Sequence, residues 1–327
     1  MLALLLASGM DLRAQRKKKD KNGEEISQTL ELPREPPAVA TGETRRLNFQ
    51  NVPLSAKGLL SQQTRDALKA AMKLAGGAPV IHIRAFVSGS GDLRRVPQLV
   101  SEIFDDKKVQ LPAVSVIQVG ALPLQNAQIA IQIIWVGKKE LNPDGVDFLA
   151  GDSVVENSPG APAQPLLDKA VENLAAKLAS RKALSVSCFV SSLQNAGEMA
   201  SAMTAKFPGA ASNLIQSQRA PYQSYAVCEA VVRGGINAAV LAFSGTRVAS
   251  GASESQAAVT LQRLDRDLAE AGVPASGLRF TNVYALPGQA GDVVRRLRSG
   301  AIAIVPVEGV ASVQAAFAVD AVGVVAR

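Results

Sequence analysis

The sequence predicts an α/β protein built from three similar units, each a mixed sheet with two helices packed on one face. One observation is repetition. From about Arg45 onward the same order recurs three times: edge strand, amphipathic helix, a strand ending in an aromatic residue, second helix, two closing strands. A second is length, since each pass takes roughly 90–95 residues, an ordinary domain size. A third is alternation in the middle strands. Leu184, Val186, Cys188 and Val190 point one way, and Ser185, Ser187, Phe189 and Ser191 the other. A strand–helix–strand–helix–strand–strand order places both helices on one side of the sheet. The other face, part polar and part aromatic, suits packing against another sheet, so three such sheets could close around a common axis.

The elements follow in order. MLALLLASGMDLRAQ has the apolar run of a short secretory segment, without a preceding basic residue and broken by Asp11 and Arg13. It predicts export if it works as a signal, and a cytoplasmic protein otherwise. Arg16 to about Gly42 is charged and proline-bearing, and with the opening residues it reads as a flexible leader over 1–43. The first unit, 44–137, runs RRLNF, a helix with Leu68, Ala71, Met72 and Ala75 on one face, the strand Val80–Val87, a helix ending at Glu102–Phe104, then LPAVSVIQVGALP and AQIAIQIIWV. The second, 142–233, runs Val146–Gly151, a helix with Leu167, Val171, Leu174 and Leu178, the strand Leu184–Val190, a helix near Glu198–Phe207, then SNLIQSQRAP and YAVCEAVVR. The third, 236–327, runs Ala238–Gly245, a helix opened by Ser253 and Glu254 with Leu261, Leu264 and Leu268 on one stripe, and a stop at Gly272 and Pro274. The strand Leu278–Leu286, a helix over Asp292–Leu297, AIAIVPVEGV and AAFAVDAVGVV complete it.

Composition narrows function. One histidine and two cysteines exclude a zinc finger or a His-rich metal cluster, and no cofactor is implied. The formal charge is +7, but Arg16–Lys21 (RKKKDK) holds five of the basic residues, and the remaining excess is spread along the chain. With aromatics at 4%, stacking platforms for bases are few, which argues against nucleic acid as partner. No stretch is long and apolar enough to span a membrane. SGSGD (Ser88–Asp92) lacks phosphate-loop spacing and reads as a turn. His82 could complete at most one Ser-His-Asp set, and no G-x-S-x-G turn supplies the nucleophile.

Glu229 and Asp320 sit in apolar strands (VCEAVV and VDAVG), where a carboxylate is costly without a partner. Either an arginine pairs with each across an interface, the favoured reading, or burial makes one a proton shuttle. Arg84 lies on the face of its strand that looks toward the other units, as an acid partner or an anion anchor. Arg84 with Phe86, Ser187 with Phe189, and Asn282 with Tyr284 form the same polar-then-aromatic pair in each middle strand. Cys188 and Cys228 fall on the helix side of adjacent strands. Two buried thiols in contact is the favoured reading, and a cross-strand disulfide the alternative if the chain is exported.

LPAVSVIQVGALP followed by IAIQIIW resembles the closing pattern P-A-R-S-x-V-x-V-x-x-L-P, then I-E-I-E-A-I-A, of the Rid family, also called YjgF-like or endoribonuclease L-PSP-like. FSGTRV, AEAG with LRFTNVY, and YAVCEAVVR resemble further family motifs, covering nearly everything from Arg45 on. The resemblance implies chorismate-mutase-like domains arranged as a monomeric single-chain pseudo-trimer, with small-molecule clefts between domains. It implies imine or enamine hydrolysis anchored by the arginine of P-A-R-S. That position falls here on Val114, Ser212 and Ile302, none of which can grip a carboxylate as a guanidinium does. The family's water-handling acid falls on Gln132, Glu229 and Asp320. Arg219 stands where the family has an arginine after the conserved strand, a displaced anchor. The expectation is a small-molecule or partner binder with an impaired deaminase site. The alternative is a working hydrolase using Glu229 or Asp320.

Overall fold

The computed structural model describes residues 15–19, 25–29, 39–43, 47–89, 92–137, 145–158, 160–217, 223–233, 241–286, 290–311 and 315–326. The chain divides into Met1–Arg34 and Glu35–Arg327. In the first, β1 (Gln15–Lys19) pairs antiparallel with β2 (Glu25–Thr29). The second opens with β3 (Val39–Glu43). Within the stretch read as a leader these strands are extended backbone, which the β-branched Ile26, Thr29, Val39 and Thr41 favour. The signal-like residues 1–14 lie outside the described residues.

Three modules follow. The first holds β4 (Leu47–Asn51), α1 (Leu60–Leu74), β5 (Val80–Val87), α2 (Asp92–Asp106), β6 (Ala113–Gln118) and β7 (Ile129–Val136). The second holds β8 (Gly145–Ala150), β9 (Val154–Glu156), α3 (Ala163–Leu178), β10 (Ala183–Val190), α4 (Ala196–Lys206), β11 (Ala211–Gln216) and β12 (Ser224–Arg233). The third holds β13 (Leu241–Phe243), β14 (Arg247–Ala249), α5 (Glu254–Glu270), β15 (Leu278–Ala285), α6 (Ala290–Leu297), β16 (Ile302–Pro306), β17 (Gly309–Val310) and β18 (Phe317–Val324).

The sheets share one strand order: β4-β7-β5-β6, β8-β12-β10-β11 and β13-β18-β15-β16. In each, the middle strand is parallel to the penultimate strand and antiparallel to the last. Each middle strand also slips register once against the last, at Val80/His82, Ala183/Ser185 and Leu278/Phe280. Pairing does not require such a slip, so finding it at the same point three times marks the modules as copies of one unit. The second sheet takes two strands from elsewhere, β3 against β8 and β17 against β11.

Each module packs its helices on one sheet face. The leucine stripes of the sequence are the buried faces: Leu68 and Ala71 in α1; Leu167, Val171, Leu174 and Leu178 in α3; Leu261, Leu264 and Leu268 in α5. The helix α5 begins where Ser253 caps it, the hydroxyl accepting from Gln256 N at 3.3 Å, and turns out at Gly272 with φ of +82°. The opposite sheet faces meet each other. One cluster holds Phe86, Ile117, Phe189, Tyr225, Val227, Tyr284 and Val305, drawn from all three modules and buried from solvent.

The seams run cyclically. Asn51 of the first module donates to the carbonyl of Ile302 in the third (2.8 Å), and Thr246 N of the third to the carbonyl of Ser212 in the second (3.4 Å). The strand β8 of the second lies against β6 of the first. The three sheets therefore close around a common axis.

Cys188 and Cys228 are directly opposed on β10 and β12 and are joined by a disulfide. This corrects the expectation of two free thiols. Antiparallel register faces the two side chains across the ladder, a placement that spacing along the chain does not reveal.

Candidate functional site: a polar tier on the central axis

Alternate residues of the inward-facing strands form three tiers along the axis. The register equates Phe86, Phe189 and Tyr284 in one tier. The next tier equates Arg84, Ser187 and Asn282 on the middle strands, paired with Gln132, Glu229 and Asp320 on the last strands. Beyond it lie His82, Ser185 and Phe280, with a phenylalanine on each edge strand. Phe49 pairs with Ile134, Phe148 with Val231 and Phe243 with Val322, the same position in all three sheets.

The aromatic tier is a plug: Phe86, Phe189 and Tyr284 pack edge-on at 6.2 and 6.4 Å and are buried. The polar tier above it and the outer phenylalanines line a cavity of about 70 Å³. That is room for a few waters or a molecule of few heavy atoms.

Hydrogen bonds in the polar tier run outward from Arg84. Its guanidinium pairs directly with Glu229 of the second module and lies over the Phe189 ring, 5.7 Å from the centroid. Arg84 Nη1 donates to Gln132 Oε1 (3.4 Å), Gln132 Nε2 to Asn282 Oδ1 (3.3 Å), and Asn282 Nδ2 to Asp320 Oδ1 (2.6 Å). Asn213 Nδ2 donates to Ser187 Oγ (3.0 Å). His82 Nε2 shares a hydrogen bond with Ser115 Oγ (3.1 Å), lies 3.9 Å from Glu229 Oε2, and stacks on Phe148. Two buried atoms here lack a hydrogen-bond partner, Arg84 Nε and Asn213 Oδ1, while the Tyr284 hydroxyl hydrogen-bonds Asp320 and Ser115 hydrogen-bonds Glu229.

Electrostatics separate the two carboxyls. Burial would raise both, but Arg84 and then His82 outweigh it at Glu229, which is held below its ordinary range. At Asp320 burial wins over the Asn282 hydrogen bond and the Arg84 charge, and the pKa is raised. Burial pushes His82 down to about 4, against Glu229, so it is neutral at pH 7. The Tyr284 hydroxyl is raised, by burial first and then by Asp320.

The sequence-predicted residues thus fall into three groups. Arg84, Asn282, Glu229 and Asp320 converge on the cavity. Phe86, Phe189 and Tyr284 lie in the plug beneath it. Val114, Ser212 and Ile302 face Ile83, Val186 and Thr281, equivalent places in the three sheets. Val114 and Ile302 pack toward their helices, away from the axis. Arg219 lies outside the described residues. Sequence reading missed Ser115, Asn213 and the edge-strand phenylalanines. One phenylalanine in each of RRLNF, VDFLAG and LAFSG was the available signal.

No family model matches the sequence, and no match emerges among the curated proteins. Solved structures do match. The YjgF gene product of E. coli is 23% identical over 31% of this chain and 89% of its own, with a TM-score of 0.24. TdcF of E. coli, solved with bound serine, is 20% identical over 32% of this chain and 92% of its own, TM-score 0.24. A member of the YjgF/YER057c/UK114 family from Mycobacterium tuberculosis is 25% identical over 30% of this chain and 75% of its own, TM-score 0.22. Among the described residues no group of three His, Cys, Asp or Glu could hold a metal ion, and no helix is long and apolar enough to cross a membrane.

Proposed function

We propose that the chain is a divergent Rid-like protein, a single-chain pseudo-trimer of chorismate-mutase-like modules (44–137, 142–233 and 236–327), that binds a small molecule in its axial cavity and has lost the usual imine and enamine deaminase site. The observation that carries this is the cavity itself: a buried polar tier drawn from all three modules, in which Arg84 Nε and Asn213 Oδ1 have no protein partner and could take one from a small polar molecule. The loss of deaminase chemistry is supported by Val114, Ser212 and Ile302 at the anchor positions, and by Arg84 being engaged with Glu229. Glu229, paired and held ionised, is a poor proton donor.

The rival reading is an imine or enamine hydrolase working through Asp320. Its support is the raised proton affinity of that carboxyl at the cavity wall. Hydrolysis of amino-acid-derived enamines separates the two. The binder reading expects no turnover above buffer, together with a saturable melting shift from a small polar metabolite. Turnover lost in Asp320→Asn but kept in Glu229→Gln would establish the hydrolase. The Cys188–Cys228 bond supports an oxidising compartment, which fractionation of the native host would check.

A further inference from the structure

We propose that the axial cavity selects a small organic cation, a primary or methylated ammonium compound, with its charge against Asp320 and its hydrocarbon part among Phe49, Phe148 and Phe280; this rests on the cavity being a small-molecule site.

The charges facing the cavity do not balance. Its described lining holds one guanidinium, Arg84, and two carboxyls, Glu229 and Asp320, while His82 stays neutral at pH 7. Arg84 is in direct contact with Glu229, so that pair is closed. Asp320 touches no cation. Its hydrogen bonds come from neutral groups, Asn282 Nδ2 on Oδ1 and the adjacent Tyr284 hydroxyl, and the residue is only 6% exposed. A buried carboxylate without a counter-charge is costly even when neutral groups hydrogen-bond it, and a positively charged donor relieves that cost.

A carboxylate ligand would meet two acidic side chains and a guanidinium already engaged. The outer wall adds a second reason. Phe49 and Phe280 stand 6.0 Å apart with their rings tilted, and Phe148 lines the same cavity. Aromatic faces attract alkylammonium ions, which carry both charge and apolar surface. A hydrated sodium or potassium ion gains little from such a wall.

The test uses the full chain at pH 7.5 and matched probes at constant ionic strength: propylammonium, propionate, propanol and potassium chloride, each read by melting temperature and titration calorimetry. The expected result is a saturable rise with propylammonium alone, its apparent Kd weakened at least tenfold in Asp320→Asn. That variant should fold as well as the parent, because it removes a buried charge. Phe49→Leu, at the half-buried rim, should weaken the same probe several-fold and serves if Asp320→Asn fails to fold. Binding of propionate or propanol instead would overturn the cation assignment and leave the small-molecule site standing. An equal effect of potassium chloride would overturn the organic cation, as would propylammonium binding unchanged in Asp320→Asn. Silence from every probe would remove both the assignment and the site.

Discussion

Replacing Arg84 with methionine would strand Glu229 as an unpaired carboxylate in the interior. Breaking a buried pair from one side costs about 3–5 kcal/mol, whereas removing both members is far milder. Urea unfolding should therefore show Arg84→Met strongly destabilised, and Arg84→Met/Glu229→Gln restored by most of that amount. An independent pair of losses that simply add would refute the pairing. His82 gives a pH signature at the same scale. Unfolded, its imidazole takes a proton near pH 6.5; folded, it stays neutral down to about 4. The unfolded state then binds more protons, so the stability is full above pH 6.5 and lost as pH falls through 4. That is roughly 3 kcal/mol across the window. The stability difference between the parent and His82→Gln, followed from pH 7.5 to 4, should change by about that much in favour of the variant. Arg84, Glu229 and Asp320 were legible as individuals, because polar residues in apolar strands stand out. That Arg84 takes Glu229 and leaves Asp320 without a cation was not legible, since it depends on how two modules meet.

At the scale of elements, local signals were strong. Leucines spaced by three and four gave the buried helix faces, and Ser253 with Glu254 marked the start of α5, where Ser253 accepts from Gln256 N. Ser253→Ala should lower stability by about 1 kcal/mol, seen as a shifted urea midpoint without a changed slope. What local pattern could not supply was register. A period of two says which residues share a face, yet not which residue stands opposite, so the bonding of Cys188 with Cys228 and the level ring of Phe49, Phe148 and Phe243 emerge only from the paired strands. The disulfide closes a loop of 40 residues, for which chain-entropy arguments give roughly 4 kcal/mol. Full reduction, or Cys188→Ala/Cys228→Ala, should cost stability of that order, measured by denaturation with and without reductant. Gly151 belongs to the same neighbourhood: a Cβ there would strike the carbonyl of Cys228, so the close approach of β8 to β12 excludes any larger residue.

For the whole molecule, repetition in the sequence foretold three modules, and mixed inner strand faces foretold that sheet would meet sheet. A common centre was expected as well, three sheets closing around one axis; which side chains meet there was not legible. Each inner face is buried only by the other two, so the modules should not melt separately. Sedimentation should report a monomer of 34.1 kDa, and calorimetry one cooperative transition for residues 44–327, with calorimetric and van't Hoff enthalpies in agreement. Three resolved transitions would show modules that stand alone. Among the described residues one guanidinium, Arg84, reaches the centre. Three identical chains meeting on an axis would have to bring three copies of every side chain to it, and three arginines crowded together repel. Joining the copies end to end frees each from its sisters, so that one can present a guanidinium, the next its acid partner, and the third a carboxyl held by neutral groups. Charge at the heart of this protein is therefore available to selection one residue at a time.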